Sequence, residues 1–227
     1  MNTAIIVAAG SGKRFGTKIP KQFLEIKGKP LVIYTLERFQ TCPEIDQIIL
    51  VLPSKETANF LSIIGKYGIK KLSKVVAGGK TRAESVWKGL NAIRPATAEI
   101  IAVHDGARPL VTPQEISECV LKAKETGAAI LVAAVTDTIK QVSENGIITH
   151  TINRSELKRA LTPQCFQYEI LKNAFENANL NESVTDESYL VEQSGVQVSI
   201  VEGSAINIKV TTQADLLVVE SLLKSFT

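Results

Sequence analysis

The sequence predicts an α/β protein: one mainly parallel sheet covered by helices on both faces. Three observations carry this. Short apolar runs rich in β-branched residues alternate with segments of helical spacing. A glycine-rich loop follows the first such run immediately. The 227 residues suit one α/β domain, and no repeat, low-complexity segment or linker divides them.

The elements follow in order. Residues 4–8 are a buried strand bounded by glycines. Residues 31–40 are a helix, with Leu31, Tyr34, Thr35 and Phe39 on one face and Pro30 at its start. A second buried strand, 47–52, stops at Pro53. A helix over 57–67 ends near Gly68. Then come a short strand, 74–77, a helix, 82–93, and a third long buried strand, 100–103. Residues 113–126 form a helix closed by Gly127, and 129–135 another strand. After residues 137–150 break the alternation, the tail reads as a helix (171–177), strands (197–201 and 207–210) and a final amphipathic helix (213–224).

The break is a hairpin. Thr138–Val142 and Ile147–Ile152 are β-prone runs around Glu144-Asn145-Gly146, and Asn-Gly is a strong turn signal. A lone two-stranded ribbon is marginal in water, so it either packs on the sheet or reaches a second subunit, and the second is favoured.

Composition narrows the classes. Hydrophobic residues make up 44% and charged residues 22%, ordinary values for a globular chain. A net charge of +3 gives no ground for nucleic-acid binding. The longest apolar run, Ala128 to Val135, falls short of the roughly 20 residues of a membrane helix. The N-terminus looks like a first strand and not a signal peptide. Cys42, Cys119 and Cys165 are odd in number and far apart, and His104 and His150 are the only histidines. A disulfide framework or a zinc site is not expected, and a reducing cytoplasmic compartment is.

The loop Ala8-Ala9-Gly10-Ser11-Gly12-Lys13-Arg14-Phe15-Gly16 runs on to Lys18 and Lys21. Its glycines let backbone N–H groups approach a ligand. Four cations within nine residues repel one another unless an anion sits among them, and a polyphosphate would serve. The frame of a P-loop fails after both Gly10 and Gly12. Phe15 stands where a dinucleotide loop needs its third glycine, and the second strand ends without an acid, which leaves hydride transfer a weak alternative.

Three further constellations stand out. Ala77-Gly78-Gly79-Lys80-Thr81-Arg82-Ala83-Glu84-Ser85 is a second glycine turn entering a helix, suited to an anion or a base, or simply to helix entry. His104-Asp105-Gly106-Ala107-Arg108-Pro109 follows the third long strand. Asp105 there suits a group near a metal-bound triphosphate and Arg108 can fork onto a phosphate, although an Asp–Arg structural pair is the alternative. His104 reads as a packed residue behind them. Arg154, Lys158 and Arg159 follow the hairpin, as ligand contacts or as a solvated helix face. Lys209, inside Asn207-Ile208-Lys209-Val210, reads as emerging at a strand end. No Ser-His-Asp set, carboxylate pair or Cys-His pair is present. A phosphate monoester nucleophile needs none, because its second pKa is about 6. Catalysis then rests on positioning and on placed cations.

Taken together, AAGSGKRFGTKIPKQFL, VVAGGKTRAESV, VHDGARPLV, VTDTIK, HTINRSELKRALTPQCF, TDESYLVE and VEGSAINIKVTTQADL resemble the 2-C-methyl-D-erythritol 4-phosphate cytidylyltransferase family over nearly the whole chain. The resemblance implies a Rossmann-like fold of the nucleotide-diphospho-sugar transferase type with a protruding hairpin arm. It implies one cytidylyltransferase domain over 1–227, with a dimerisation arm over 137–165. The implied reaction joins CTP to methylerythritol phosphate with Mg²⁺ bound, in the non-mevalonate isoprenoid pathway, and releases pyrophosphate.

By the same resemblance, Arg14 and Lys21 stabilise the transition state. Ala8, Ala9, Gly10, Gly12, Gly78, Gly79, Ser85 and Asp105 hold CTP, and Asp105 and Arg108 lie at the substrate and metal end. Thr138, Arg154 and Thr162 contact methylerythritol phosphate, and Lys209 positions its phosphate. The arm swaps between the subunits of a homodimer, so that Thr138 and Arg154 serve the neighbour's site. The nearest rival, ribitol 5-phosphate cytidylyltransferase, tends to carry AGG in place of Ala8-Ala9-Gly10 and DAVRP in place of Asp105–Pro109. It also lacks a close match to Asn153–Leu157.

Overall fold

The computed structural model describes residues 1–10, 21–179 and 184–225, apart from the side chains of Lys21, Lys224 and Ser225. In chain order the elements are β1 (Thr3–Val7), β2 (Glu25–Ile26), β3 (Lys29–Pro30), α1 (Leu31–Thr41), β4 (Gln47–Leu52), α2 (Thr57–Ile64), β5 (Leu72–Ala77), α3 (Arg82–Asn91), β6 (Ile100–Asp105), α4 (Pro113–Thr126), β7 (Ala128–Ala134), β8 (Ile139–Val142), β9 (Ile148–Ile152), β10 (Lys158–Gln167), α5 (Tyr168–Glu176), α6 (Glu187–Gln193), β11 (Ser199–Glu202) and α7 (Gln213–Ser225). Short 3₁₀ turns lie at Lys21–Phe23, Gly65–Tyr67, Pro95–Thr97 and Arg154–Glu156.

Seven strands form the main sheet in the order β11-β7-β10-β6-β1-β4-β5. All neighbours are parallel except β10, which runs antiparallel to both β6 and β7. Strand residues alternate between the faces, so each strand feeds two cores. Ala4, Ile6 and Ala8 join Leu36, Phe39, Leu50, Phe60 and Val120 on the face of α1, α2 and α4. Ile5 joins Val51, Val86, Leu90, Val103, Phe166 and Phe175 on the face of α3 and α5. Full burial of each of the larger of these side chains contributes about 1.5–3 kcal/mol. A third, smaller core seats α7 through Val219 and Leu223 on Leu31, Ala107, Leu110 and Val210.

Local chemistry sets the helix ends. Thr112 and Glu115 form a reciprocal capping box at the start of α4, with the Thr112 N–H donating to Glu115 Oε2 at 2.7 Å. The other oxygen of Glu115 accepts from the Ser204 N–H at 2.7 Å, so one cap also ties down the segment after β11. Caps of this kind are worth about 1 kcal/mol.

Most expected elements stand within one to three residues of their expected bounds, and three readings are corrected. Residues 207–210 are not a strand. They cross the strand ends, with Val210 N–H donating to Ala107 O (2.9 Å) and Asn207 Nδ2 to Thr162 O (2.9 Å). The Asn207 and Ile208 N–H groups bond locally, to Ser204 O (3.1 Å) and Ile206 O (2.7 Å), and not in a ladder. Lys158 and Arg159 lie on a strand, not a helix, because β10 runs through them in the main sheet. The expected 137–165 arm therefore divides: among the described residues β8 and β9 pair only with each other, while 158–165 belongs to the sheet. Proline is disfavoured in a central strand, and Pro163 stands in one beside a shift of register between Ala160 and Gln164. The helix α6 was also not foreseen, being only seven residues long.

Candidate functional site

In an open α/β sheet, ligands bind beyond the carboxyl ends of the strands, where the strand order reverses. Here that point lies between β1 and β6, since the chain moves to one side of β1 through β4 and β5 and then returns to the other. The backbone there is closely packed. Ala8 N–H donates to Val51 O, Gly106 N–H to Val7 O and Gly78 N–H to Leu52 O, each at 2.8 Å. A Cβ on Gly78 would lie 2.3 Å from the Ala9 Cβ and 3.0 Å from Ser85 Oγ, and one on Gly106 2.8 Å from the Ala8 Cβ. Small residues at 8, 9, 78 and 106 are therefore required by each other as much as by any ligand.

The second glycine turn is organised by α3. Thr81 caps the helix by accepting from the Glu84 N–H, and the Lys80 N–H donates to Glu84 Oε2 (2.7 Å). The buried Ser85 hydroxyl donates to Thr81 O at 2.8 Å and accepts from the Gly79 N–H at 3.1 Å. Ser85 thus holds the turn's shape from within. Gln22 ties together the two described ends of the first loop. Almost fully buried, its Nε2 donates to Ala8 O (2.6 Å) and Gly10 O (3.1 Å), joining the loop's return to its departure. Gln22 was not singled out, although an amide between Lys21 and Phe23 beside a polyanion loop was a signal available in KQF. Arg14 and Gly12 lie outside the described residues, as does the Lys21 side chain.

Asp105 ends β6 at the centre of a charge cluster. Its carboxylate receives Arg82 Nε at 3.0 Å, Lys209 Nζ at 2.8 Å and Arg108 Nε at 3.3 Å. Burial opposes the charge, but Arg82, Lys209 and Arg108 outweigh it and hold the carboxyl far below its usual range. Arg82 also donates from Nη1 to Glu187 Oε1 at 2.5 Å. Arg108 donates from Nη1 to Asn207 O at 2.8 Å. The Asp105–Arg108 pair that the sequence offered as the structural alternative exists, and three cations converge on that one carboxylate at the carboxyl ends of the strands. Arg82 and Glu187 were missed as members. A cation at the first position of a helix is disfavoured by the helix dipole, so Arg82 at the start of α3 carried a signal that it had acidic partners.

Behind this cluster stands His104, fully buried and packed against Phe39 with the rings tilted by 53° (centroids 4.9 Å apart). Its Nε2 lies 3.1 Å from Arg108 O, which can only accept, so the proton sits on Nε2. Nδ1 then accepts from the Thr162 hydroxyl at 2.9 Å, and that hydroxyl accepts from the Asp105 N–H at 3.2 Å. Thr162, 4% exposed, faces the protein and joins β10 to the Asp105 turn. Its one proton is already committed.

Burial lowers the His104 pKa to about 3. Below the unfolded value near 6.5 the unfolded chain therefore binds a proton that the folded chain refuses. Stability should fall as pH drops from 6.5 toward 3, by at most about 1.4 kcal/mol per unit. Urea midpoints at pH 7, 6 and 5 measure this, and the slope should flatten in His104→Gln. A slope unchanged by that substitution would remove His104 as its source.

The remaining expected site residues are elsewhere on the chain. Thr138 and Arg154 are exposed, and Arg154 Nη1 donates to Thr136 O (2.6 Å) at the root of the hairpin. The hairpin carries exposed Val142, Ile147 and Ile148. Among the described residues, no group of three or more His, Cys, Asp or Glu side chains could hold a metal by itself. No described helix is long and apolar enough to cross a membrane.

A parallel sheet with a glycine-lined crest at its switch point, and cations gathered beside that crest, defines an α/β protein built to hold the phosphates of a nucleotide. The family model of 2-C-methyl-D-erythritol 4-phosphate cytidylyltransferase (IspD) matches residues 2–225. A Clostridium novyi protein bearing that name is 43% identical over 226 residues, covering 99% of this chain and 97% of its own. One from Clostridium botulinum (strain Loch Maree) is 44% identical over 227 residues, covering 100% and 99%. Among solved structures, 4-diphosphocytidyl-2C-methyl-D-erythritol synthase from Anaerococcus prevotii superposes with a TM-score of 0.87 at 29% identity, covering 99% of this chain and 96% of that one. The Francisella tularensis 2-C-methyl-D-erythritol 4-phosphate cytidylyltransferase gives 0.79 at 33% identity, covering 97% and 98%. The chain belongs to the 2-C-methyl-D-erythritol 4-phosphate cytidylyltransferase family.

Proposed function

We propose that this chain transfers the cytidylyl group of CTP to 2-C-methyl-D-erythritol 4-phosphate, forming CDP-methylerythritol and pyrophosphate. Family membership supports the substrates. The single structural observation that carries the chemistry is the convergence of Arg82, Arg108 and Lys209 on Asp105 at the switch point. The sugar phosphate is itself the nucleophile, so the site needs no general base and the cluster contains none. His104 is held neutral but is turned inward onto Thr162 and Arg108 O, away from any ligand.

The residues divide the work as follows. The crest at Ala8, Ala9, Gly10, Gly78, Gly79 and Ser85 offers backbone groups and little side-chain bulk, which suits a base and ribose lying close. Arg14 and Lys21, on the first loop, meet the charge that builds on the α-phosphate. Arg108 and Lys209 bind and orient the incoming phosphate. Asp105 accepts Arg82 on Oδ1 and Lys209 and Arg108 on Oδ2, so Mg²⁺ would be held mainly by the CTP phosphates, with Asp105 beside them. When bound, Mg²⁺ would neutralise triphosphate charge. The hairpin supplies Thr138 and Arg154 to the site of a second subunit, and its exposed Val142, Ile147 and Ile148 suit burial in a homodimer. A cytoplasmic location accords with three buried free cysteines.

The test is pyrophosphate release with CTP and Mg²⁺, comparing methylerythritol 4-phosphate with ribitol 5-phosphate. Release with the first alone is expected. Release with the second alone would keep the chemistry and overturn the substrate.

A further inference from the structure

Glu187 is the first residue of α6 and is fully buried. Its Oε1 accepts Arg82 Nη1 at 2.5 Å, while Oε2 has no hydrogen-bond partner among the described residues. Its position is set by main-chain contacts. Gln164, on β10, accepts the Glu187 and Ser188 N–H groups on Oε1 (3.1 and 3.0 Å) and donates from Nε2 to Asp186 Oδ2 (2.9 Å). Asp186 in turn caps α6. A buried carboxylate with one oxygen unpaired is costly, and nothing in the helix requires it. Burial pushes its pKa up, against the pull of Arg82.

Arg82 is thereby stretched between two acids. It reaches Asp105 Oδ1 through Nε, and its anchorage on Glu187 through Nη1 fixes the plane of the guanidinium. An arginine free of the second acid would turn its fork onto Asp105 in a two-bond pair, the geometry that guanidinium and carboxylate favour. Such a pair would occupy Asp105 Oδ2, where Lys209 is bound at 2.8 Å.

We propose that Glu187 is a positioning residue for phosphate transfer: by anchoring Arg82 through Nη1 it keeps that guanidinium to a single bond with Asp105, which leaves the second Asp105 oxygen to Lys209 and Arg108 and so fixes the ammonium that meets the incoming phosphate. This rests on the activity proposed above. It assigns a role to the TDESYLVE segment beyond its place in the family pattern.

The test is a cycle of Glu187→Gln, Arg82→Gln and the double variant, in the full chain. For Glu187→Gln, kcat/KM for the sugar-alcohol phosphate should fall about ten- to a hundredfold, the range for losing a hydrogen bond to a charged group. CTP affinity should change less than about threefold on the same scale. In the Arg82→Gln background the second substitution should cost nothing more, because Glu187 acts through Arg82. A second readout needs no turnover. Acetylation of Lys209 by acetic anhydride, followed by mass spectrometry, should be faster in Glu187→Gln than in the unsubstituted chain. It should be equal in Arg82→Gln and the double variant. If Glu187→Gln does not fold, the comparison of Arg82→Gln with the double variant still decides. Additive losses, a loss confined to CTP affinity, or unchanged Lys209 labelling would each overturn the positioning role. An inactive unsubstituted chain would instead overturn the activity, and the labelling would still report on Glu187.

Discussion

Lys21→Ala should lower kcat by about 10²–10³, the cost of removing one donor aimed at developing charge, while CTP binding changes only a few-fold. The argument is chemical. The nucleophile is already ionised, so the barrier lies in crowding negative charge around the α-phosphate, and only cations present at that moment lower it. Geometry adds support for the loop's return. The Gln22 amide fastens to Ala8 O and Gly10 O, so the backbone at residue 21 starts beside the end of β1. Single-turnover kinetics with CTP titrated separately make the distinction. A rise in KM with kcat unchanged would move Lys21 from the transition state to ordinary binding. If the arm serves the neighbouring subunit, mixing Lys21→Ala with Arg154→Ala chains should restore part of the activity through hybrid sites. No recovery after confirmed subunit exchange would refute arm sharing.

Asp105→Asn should cost about 3–5 kcal/mol of stability, because it leaves Arg82, Arg108 and Lys209 around a neutral amide. For a chain of this size that lowers Tm by roughly 6–20 °C. Activity should fall with it. The sign of the charge gives a second expectation. The unsubstituted cluster holds three cations against Asp105 and Glu187, and the variant holds the same three against Glu187 alone. Inorganic pyrophosphate should therefore raise the Tm of the variant more than that of the unsubstituted chain, and added salt should blunt the difference. Scanning calorimetry with and without pyrophosphate reads both effects. An unchanged Tm would mean that the cations are solvated and that Asp105 is not their counter-charge.

The α/β class and the strand–helix order were legible because both are written in short-range patterns. A six-residue run such as Gln47–Leu52 and a capped helix such as Pro113–Thr126 depend on neighbours a few positions apart. The Asn-Gly turn marked the hairpin for the same reason. The glycine loop and the HDGARP turn were legible because few other purposes explain those residue types together.

The placement of β10 was not legible. Pro163 is a local argument against a strand, and only the neighbouring β6 and β7, with a shift in register, override it. Residues 207–210 failed in the opposite sense: they are locally strand-like, but their partners are the carbonyls of Ala107 and Thr162 and not a sheet edge. The site divides along the same line. Asp105, Arg108 and Lys209 could be named from sequence because charge at a strand end, or inside an apolar run, is locally anomalous. That Arg108 and Lys209 meet on the Asp105 carboxylate, that Arg82 is shared with Glu187 105 residues away, and that Thr162 spends its proton on His104 are long-range facts. Periodicity and turn chemistry act over a few residues of chain. Charge pairing and buried hydrogen bonds act over a few ångströms of space, and only the folded chain decides which residues share that space.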